Sequence, residues 1–149
     1  MANATGASVR KLFREEGYNL IYLRRINGTN KYRFTIEPRG KAKPKSGEIS
    51  FRNGQVPTDQ QNRAALVYNA VFGSPVTYTL AFNAFKNAGI DLLNFETSEI
   101  PGAFDFVVRD NPNVTGTIVF KNRRISSNTE QRTALIHRAV NRAPRITQG

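Results

Sequence analysis

The sequence GEISFRN at residues 47–53 returns as GTIVFKN at residues 116–122, with glycine, isoleucine, phenylalanine and asparagine in the same order. The match continues at the same offset of 69 residues in the segments that follow, which share the pairs Arg63/Arg132, Ala65/Ala134, Leu66/Leu135, Ala70/Ala139 and Val71/Val140. Similarity at a fixed offset is typical of a duplicated structural unit, so we interpret the chain as two copies of a unit of about 65 residues.

The upstream segments match at an offset of 72 residues. They share the pairs Phe13/Phe85, Gly17/Gly89, Leu20/Leu92 and Phe34/Phe106. A single insertion in a loop explains the change of offset. We therefore predict a first repeat at residues 8–73 and a second at residues 76–143, with a flexible tail at 144–149. The repeats are expected to join into one compact body with pseudo-twofold symmetry.

Periodicity predicts a helix at the start of each repeat. Apolar residues recur at helical spacing at Val9, Leu12 and Phe13, and in the second copy at Leu80, Ala84 and Phe85. A glycine then ends each helix, at Gly17 and at Gly89.

Three strands and a second helix follow in each repeat. In the first copy the strands are predicted at Tyr18–Ile26, Lys31–Glu37 and Glu48–Arg52, the first two joined by a hairpin turn at Asn27-Gly28. Thr58, or Ser127 in the second copy, is expected to cap the second helix. In the second copy, residues 94–102 are expected to form a less regular hairpin. The predicted fold class is α+β: an α-β-β-β-α unit used twice, with antiparallel sheets packed by helices.

This element order resembles the double-stranded-RNA-binding domain. The features that carry the resemblance are the glycine after the first helix, the turn between the first two strands, Ser46-Gly47 before the third strand and Ala64-Ala65 in the second helix. The resemblance implies duplex RNA binding, with phosphates gripped from the start of the second helix. Arg63 and Arg132 are the residues that match those positions here.

The Whirly and PUR types of single-strand binder are a second candidate resemblance, because they too duplicate a unit of sheet plus helix. That resemblance implies binding of single-stranded nucleic acid across a sheet.

Net charge indicates the class of partner. The chain has 22 Lys and Arg against 11 Asp and Glu, a formal net charge of +11, which favours a polyanion. Residues 1–74 carry thirteen of the cations against five acids, whereas residues 75–149 carry nine against six, Glu96 and Glu99 among them. The first repeat is therefore expected to be the better binder.

Other classes of protein are disfavoured by composition. The chain has no cysteine, which excludes disulfides and thiolate metal sites. It contains neither an apolar run long enough to span a membrane nor a secretion signal, so we expect a cytoplasmic protein, or a virion or host-cytoplasm protein if it is viral. We expect no cofactor and no membrane partner, and the sequence leaves homo-oligomerisation open.

Three basic groups are the candidate binding residues. The first is the segment between strands two and three, where lysines on an extended loop suit phosphates. The second is the outer face of the first hairpin, where Tyr22 is a candidate for stacking on a base. The third closes strand three of the second copy and continues along the last helix to Arg138, Arg142 and Arg145. The predicted nucleic-acid-binding residues are Arg24, Arg25, Lys31, Arg33, Arg39, Lys41, Lys43, Lys45, Arg52, Arg63, Lys121, Arg123, Arg124 and Arg132.

The sequence thus predicts a non-enzymatic protein that binds RNA or DNA with low sequence specificity. The alternative is a viral or phage structural or interaction protein that docks on an acidic partner or a packaged genome. A metal-dependent nuclease is a third option, since Glu37, Glu48, Asp105 and Asp110 could hold a metal ion. The sequence contains no phosphate-binding glycine loop, nucleophile elbow or zinc-ligand spacing.

Overall fold

The computed structural model describes residues 2–38, 42–112, 114–141 and 146–148. The chain forms two compact units, Met1–Gly73 and Ser74–Gly149. Both mix α-helices with mainly antiparallel sheets, as the predicted α+β class requires. Arg39, Lys41, Arg142 and Arg145, four of the basic residues singled out above, lie outside the described residues.

The first unit is a three-stranded sheet with two helices. Its elements are β1 (Ala2–Asn3), α1 (Gly6–Glu15), β2 (Leu20–Arg25), β3 (Lys31–Ile36), β4 (Lys45–Ser50), a 3₁₀ turn (Arg52–Gly54), β5 (Gln55–Val56) and α2 (Gln60–Phe72). β3 is the central strand of the sheet β2-β3-β4, and β1 pairs with β5 in a separate two-stranded ribbon.

The first helix forms where its periodicity predicts it. Thr5 caps its start by accepting a hydrogen bond from the backbone N–H of Ser8, and Val9, Leu12 and Phe13 are fully buried. Gly17, with φ of 86°, ends it, because this left-handed conformation is strained for residues with a Cβ.

Alternation along β3 puts one side of the sheet into the core. Tyr32, Phe34 and Ile36 are buried, and the Phe13 and Phe34 rings lie 4.9 Å apart. The residues between them point away from the helices. β4 begins at Lys45, three residues before the predicted start, because Lys45 and Ser46 still pair with Ile36 and Thr35.

The second unit has the same order of major elements. They are β6 (Ser74–Pro75), α3 (Tyr78–Asn87), β7 (Leu92–Thr97), β8 (Ala103–Val108), β9 (Thr115–Val119), a 3₁₀ turn (Lys121–Arg123), β10 (Arg124–Ile125), α4 (Thr129–Asn141) and β11 (Ile146–Gln148). Its sheet has the order β11-β9-β8-β7, and β10 pairs with β6. The hairpin expected to be irregular is regular, because Asn94–Thr97 pair with β8 and only residues 98–102 form the turn.

The prediction for the buried face of α3 was wrong by one residue. Leu80 is 40% exposed, and Ala81 takes the inward position with Ala84 and Phe85. Ala81 is the residue that the offset of 72 aligns with Val9. The large Leu80 side chain drew the prediction outward from a small residue that packs closely against the sheet.

The chain end also differs from the prediction. Residues 146–148 were expected to be flexible, but Ile146, Thr147 and Gln148 pair in parallel with Thr117, Ile118 and Val119. This pairing satisfies backbone groups along the outer edge of β9, which would otherwise be open.

The expected caps of the second helices are also displaced. α2 begins after Asp59 rather than after Thr58. In the second unit the Asn128 side chain, and not that of Ser127, accepts the hydrogen bond from the backbone N–H of Gln131. Both predictions placed the helix start too early, since several cap-forming residues stand in succession there.

Local irregularities recur at matching positions in the two units. The register shifts between Leu20 and Tyr22 on β2, and between Leu92 and Asn94 on β7. Asn53 and Asn122 have φ of 55° and 56° within the two 3₁₀ turns. Asparagine is one of the few residues that tolerates this conformation.

Candidate nucleic-acid interface

One exposed sheet surface in the first unit brings together several of the predicted binding residues. Strand alternation and cross-strand register define it as the side of β2-β3-β4 that faces away from α1 and α2. We call this surface the basic sheet face. It consists of Tyr22, Arg24, Lys31, Arg33, Thr35, Ser46 and Glu48.

Two arginines of this face lie directly opposite each other. Arg24 on β2 is in register with Arg33 on β3, and both are exposed. Arg33 is also in register with Glu48, but their charged atoms are 3.9 Å apart and the arginine side chain remains 54% exposed. An exposed ion pair at that distance contributes little. The guanidinium groups of both arginines are therefore accessible to solvent.

Tyr22 lies on the same face, in line with Arg24. It is 43% exposed, so it does not pack beneath a helix. The register shift beside it is a β-bulge, which bends an edge strand and redirects side chains. Of the other tyrosines, Tyr32 is buried as expected, whereas Tyr68 and Tyr78 are largely exposed, contrary to the prediction.

The lysine-rich segment is divided by the structure. Lys43 is exposed in the segment before β4. Lys45 is instead the first residue of β4, on the helix side of the sheet, with its ammonium 4.5 Å from the centre of the Phe72 ring. Such a cation–π contact holds the charge beside α2. Lys45 therefore belongs to a different surface from Arg24 and Arg33.

Arg25 and Arg52 lie at one end of the same sheet. Arg25 is in register with Tyr32, and its Nε donates a hydrogen bond of 3.0 Å to the Thr29 carbonyl oxygen in the hairpin turn. Arg52 is exposed in the 3₁₀ turn that follows β4. Both residues extend the cationic character of the unit beyond the basic sheet face.

Arg63 and Arg132, which the family resemblance suggests as phosphate ligands, make structural contacts within their own units. Arg63 donates to the Pro57 carbonyl oxygen and to Glu15 Oε2, both at 3.0 Å. Arg132 donates to the Ser126 carbonyl oxygen at 2.7 Å and to Thr129 Oγ1 at 3.1 Å. Both guanidinium groups therefore tie the start of a helix to the chain before it.

The basic group of the second unit lies away from its sheet. Lys121 and Arg123 are exposed in the 3₁₀ turn, and Arg124 is half-buried in β10. Arg123 has φ of 57° and stands where the first unit has Gly54. Arg138 is exposed on α4. Because these residues come from a turn, a short strand and a helix, they do not continue a sheet surface like that of the first unit.

The matching surface of the second sheet has the opposite charge. We call it the acidic sheet face and define it by Asn94, Glu96, Asp105, Val107, Thr115 and Thr117. Glu96 is in register with Asp105, and both carboxylates are exposed. The sequence analysis noted Glu96 but missed the surface. The signal was present in the offset of 72, which aligns Arg24 with Glu96 and Arg33 with Asp105.

Other kinds of site find no support in the part of the chain that the structure describes. No group of three or more His, Asp or Glu side chains lies close enough together there to hold a metal ion. His137, the only histidine, has its Nε2 3.0 Å from the Ala88 carbonyl oxygen. Within the described ranges, no helix combines the length and apolar character that a membrane-spanning segment needs.

Comparison of the chain with protein-family models, with curated proteins and with solved structures found no match.

Proposed function

We propose that this protein binds RNA or DNA with little sequence specificity, through phosphate contacts made by the basic sheet face of its first unit. The observation that carries the proposal is the exposed, directly opposed pair of Arg24 and Arg33. Like charges that face each other across two strands destabilise a sheet. A polyanion bound over the pair relieves this repulsion, so its binding is favoured by the same charges that cost the isolated sheet stability.

Tyr22 adds a second kind of contact to this surface. Its ring is 43% exposed and lies on the same face as Arg24. Aromatic side chains flanked by arginines stack on bases of any sequence, a contact that contributes about 1–3 kcal/mol per base. The combination favours unpaired bases over a closed duplex, and it is the arrangement that the Whirly and PUR resemblance implies.

The surrounding charge supports phosphate recognition rather than base reading. The chain carries a net charge of +11, and Lys31, Lys43 and Arg52 are exposed in the same unit. Lysine and arginine contacts to phosphates give affinity that is uniform across sequences and that falls as salt rises. Low sequence specificity follows from this balance.

We also propose that the two units arose by tandem duplication. Supporting this are the shared order of helices and strands, the equivalent bulges on β2 and β7, and the equivalent left-handed residues Asn53 and Asn122. In this proposal the cores were retained while the exposed sheet faces diverged. Only the first unit kept, or acquired, a face suited to phosphates.

The proposed function involves binding without chemistry. A labelled oligonucleotide incubated with the protein and magnesium should be recovered at full length. Cleavage that follows the protein through purification would support the nuclease option instead.

The test of binding is a pair of charge-matched double variants. R24Q/R33Q removes two cations from the basic sheet face, whereas R10Q/K11Q removes two exposed cations from α1, on the opposite side of the sheet. Each phosphate contact contributes about one unit to the slope of log K against log salt. We therefore expect R24Q/R33Q to reduce the slope by about two units and to weaken binding of all sequences alike.

Fluorescence anisotropy with random single-stranded and duplex oligonucleotides, at several salt concentrations, measures both quantities. R10Q/K11Q should retain a slope close to that of the native chain. Equal losses in the two variants would mean that net charge alone drives binding, and the assignment to the basic sheet face would then be wrong.

A further inference from the structure

The two sheets carry opposite charges at equivalent positions. Arg24 and Arg33 of the first unit match Glu96 and Asp105 of the second, each 72 residues later in the chain. In both units the two side chains are in register across the first and second strands of the sheet. The same sheet geometry therefore presents a pair of cations in one unit and a pair of anions in the other.

The carboxylate pair is not neutralised within its own face. The acidic sheet face contains two carboxylates and no Lys or Arg among its described residues. Polar neighbours orient the carboxylates instead: Thr117 Oγ1 donates to Asp105 Oδ1 at 2.6 Å, and Asn94 Nδ2 donates to Glu96 Oε1 at 3.4 Å. Like charges held directly opposite each other are unfavourable in an isolated sheet. A cationic partner over this face removes that cost.

Exposed apolar side chains lie beside both faces. Ile21 and Leu93 stand at the equivalent bulges of β2 and β7 and are 58% and 50% exposed. Docked surfaces gain from burying such side chains next to charge pairs that set orientation. Each face thus combines a charged pair with an apolar residue at its edge strand.

From this complementarity we infer that the acidic sheet face of one copy docks on the basic sheet face of a second copy. Glu96 and Asp105 of one molecule meet Arg24 and Arg33 of the next, in pairings that arginine can make with two hydrogen bonds to one carboxylate. Because the two faces differ, the contact is heterologous, and it builds a ring or an open chain of molecules. The inference does not depend on nucleic-acid binding, since both surfaces belong to the protein.

The test is sedimentation velocity on the full chain, purified free of nucleic acid so that no polyanion can bridge molecules. Association between exposed charges weakens as salt shortens the screening length, from about 10 Å at 0.1 M to about 3 Å at 1 M. We expect species larger than the monomer at about 0.05 M salt and monomer at about 1 M salt.

Charge reversal then assigns the surfaces. R24E/R33E makes both faces acidic and E96R/D105R makes both basic, so each variant alone should associate more than about tenfold more weakly than the native chain. An equimolar mixture of the two variants should associate again, because acidic faces then meet basic ones. R10E/K11E on α1 is the control that reverses two charges elsewhere and should associate as the native chain does.

Circular dichroism and thermal melts establish that each variant is folded. Where a reversal variant fails to fold, the neutral pairs R24Q/R33Q and E96Q/D105Q replace it, with the same expected loss of association. The inference is overturned if the native chain remains monomeric at low salt, if reversal of either face leaves association unchanged, or if mixing the two variants fails to restore it.

Discussion

Arg63 and Arg132 occupy the fourth positions of α2 and α4, and each guanidinium group reaches back six residues to a backbone carbonyl oxygen. Arg63 also forms an ion pair with Glu15 of α1, and its side chain is only 18% exposed. A planar group with several fixed donors can hold two such acceptors at once, which a lysine cannot. The position that the family resemblance assigns to phosphate binding is therefore used to attach a helix.

We predict that Arg63→Met lowers the free energy of unfolding by about 1–3 kcal/mol, because the Pro57 carbonyl oxygen loses its partner in a partly buried place. Arg63→Lys should recover only part of this loss. Urea denaturation measures the stability, and oligonucleotide anisotropy on the same samples measures the affinity. A variant with native stability but weakened binding would instead identify Arg63 as a phosphate contact.

Much at the residue scale could be predicted from sequence. Val9, Leu12 and Phe13 are buried as their spacing indicates, because a ten-residue amphipathic helix has few other ways to cover a sheet. The partners of Arg63 and the orientation of Lys45 over Phe72 could not be predicted. These contacts join residues distant in sequence, and the chemistry of an arginine or a lysine does not distinguish a ligand-binding role from a structural one.

At the scale of elements, β11 shows what periodicity fails to capture. Residues 146–148 are three residues that follow a proline, too few to display alternation. They become a strand because β9 offers an unpaired edge, so the non-local partner decides their conformation. The central strands β3 and β8, which are longer and buried on one side, were predictable from their own residues.

We predict that removing residues 146–149 destabilises the second unit by about 1–3 kcal/mol, since the hydrogen bonds along the edge of β9 are lost. Hydrogen exchange should become faster at the edge amides of β9, while exchange in β3 and β4 of the first unit stays as it is in the full chain. A chain ending at Gln148 is the control and should exchange like the full-length protein. Unchanged exchange in β9 after the truncation would mean that β11 contributes nothing to the sheet.

At the scale of the whole molecule, the net charge predicted a basic protein but not how charge is distributed over surfaces. Thirteen of the cations lie in residues 1–74, and the second unit retains six acids. The overlay that identified the repeat also aligned Arg24 with Glu96 and Arg33 with Asp105. What the sequence could not show is that these residues are exposed and directly opposed in register, since strand pairing depends on the position of the bulges.

The two proposals require the same arginines, and this shared use makes a further prediction. If phosphates and the acidic sheet face compete for Arg24 and Arg33, a saturating oligonucleotide should dissociate the self-associated protein into single copies bound to nucleic acid. Linkage requires the converse as well: self-association should weaken oligonucleotide binding as protein concentration rises. Sedimentation with a labelled oligonucleotide follows both species in one experiment. A peptide nucleic acid of the same base sequence, which carries no phosphates, is the control and should leave the association intact. Large assemblies that persist with bound oligonucleotide would show that the two partners occupy different surfaces. Single copies with either oligomer would show that dissociation does not require phosphate.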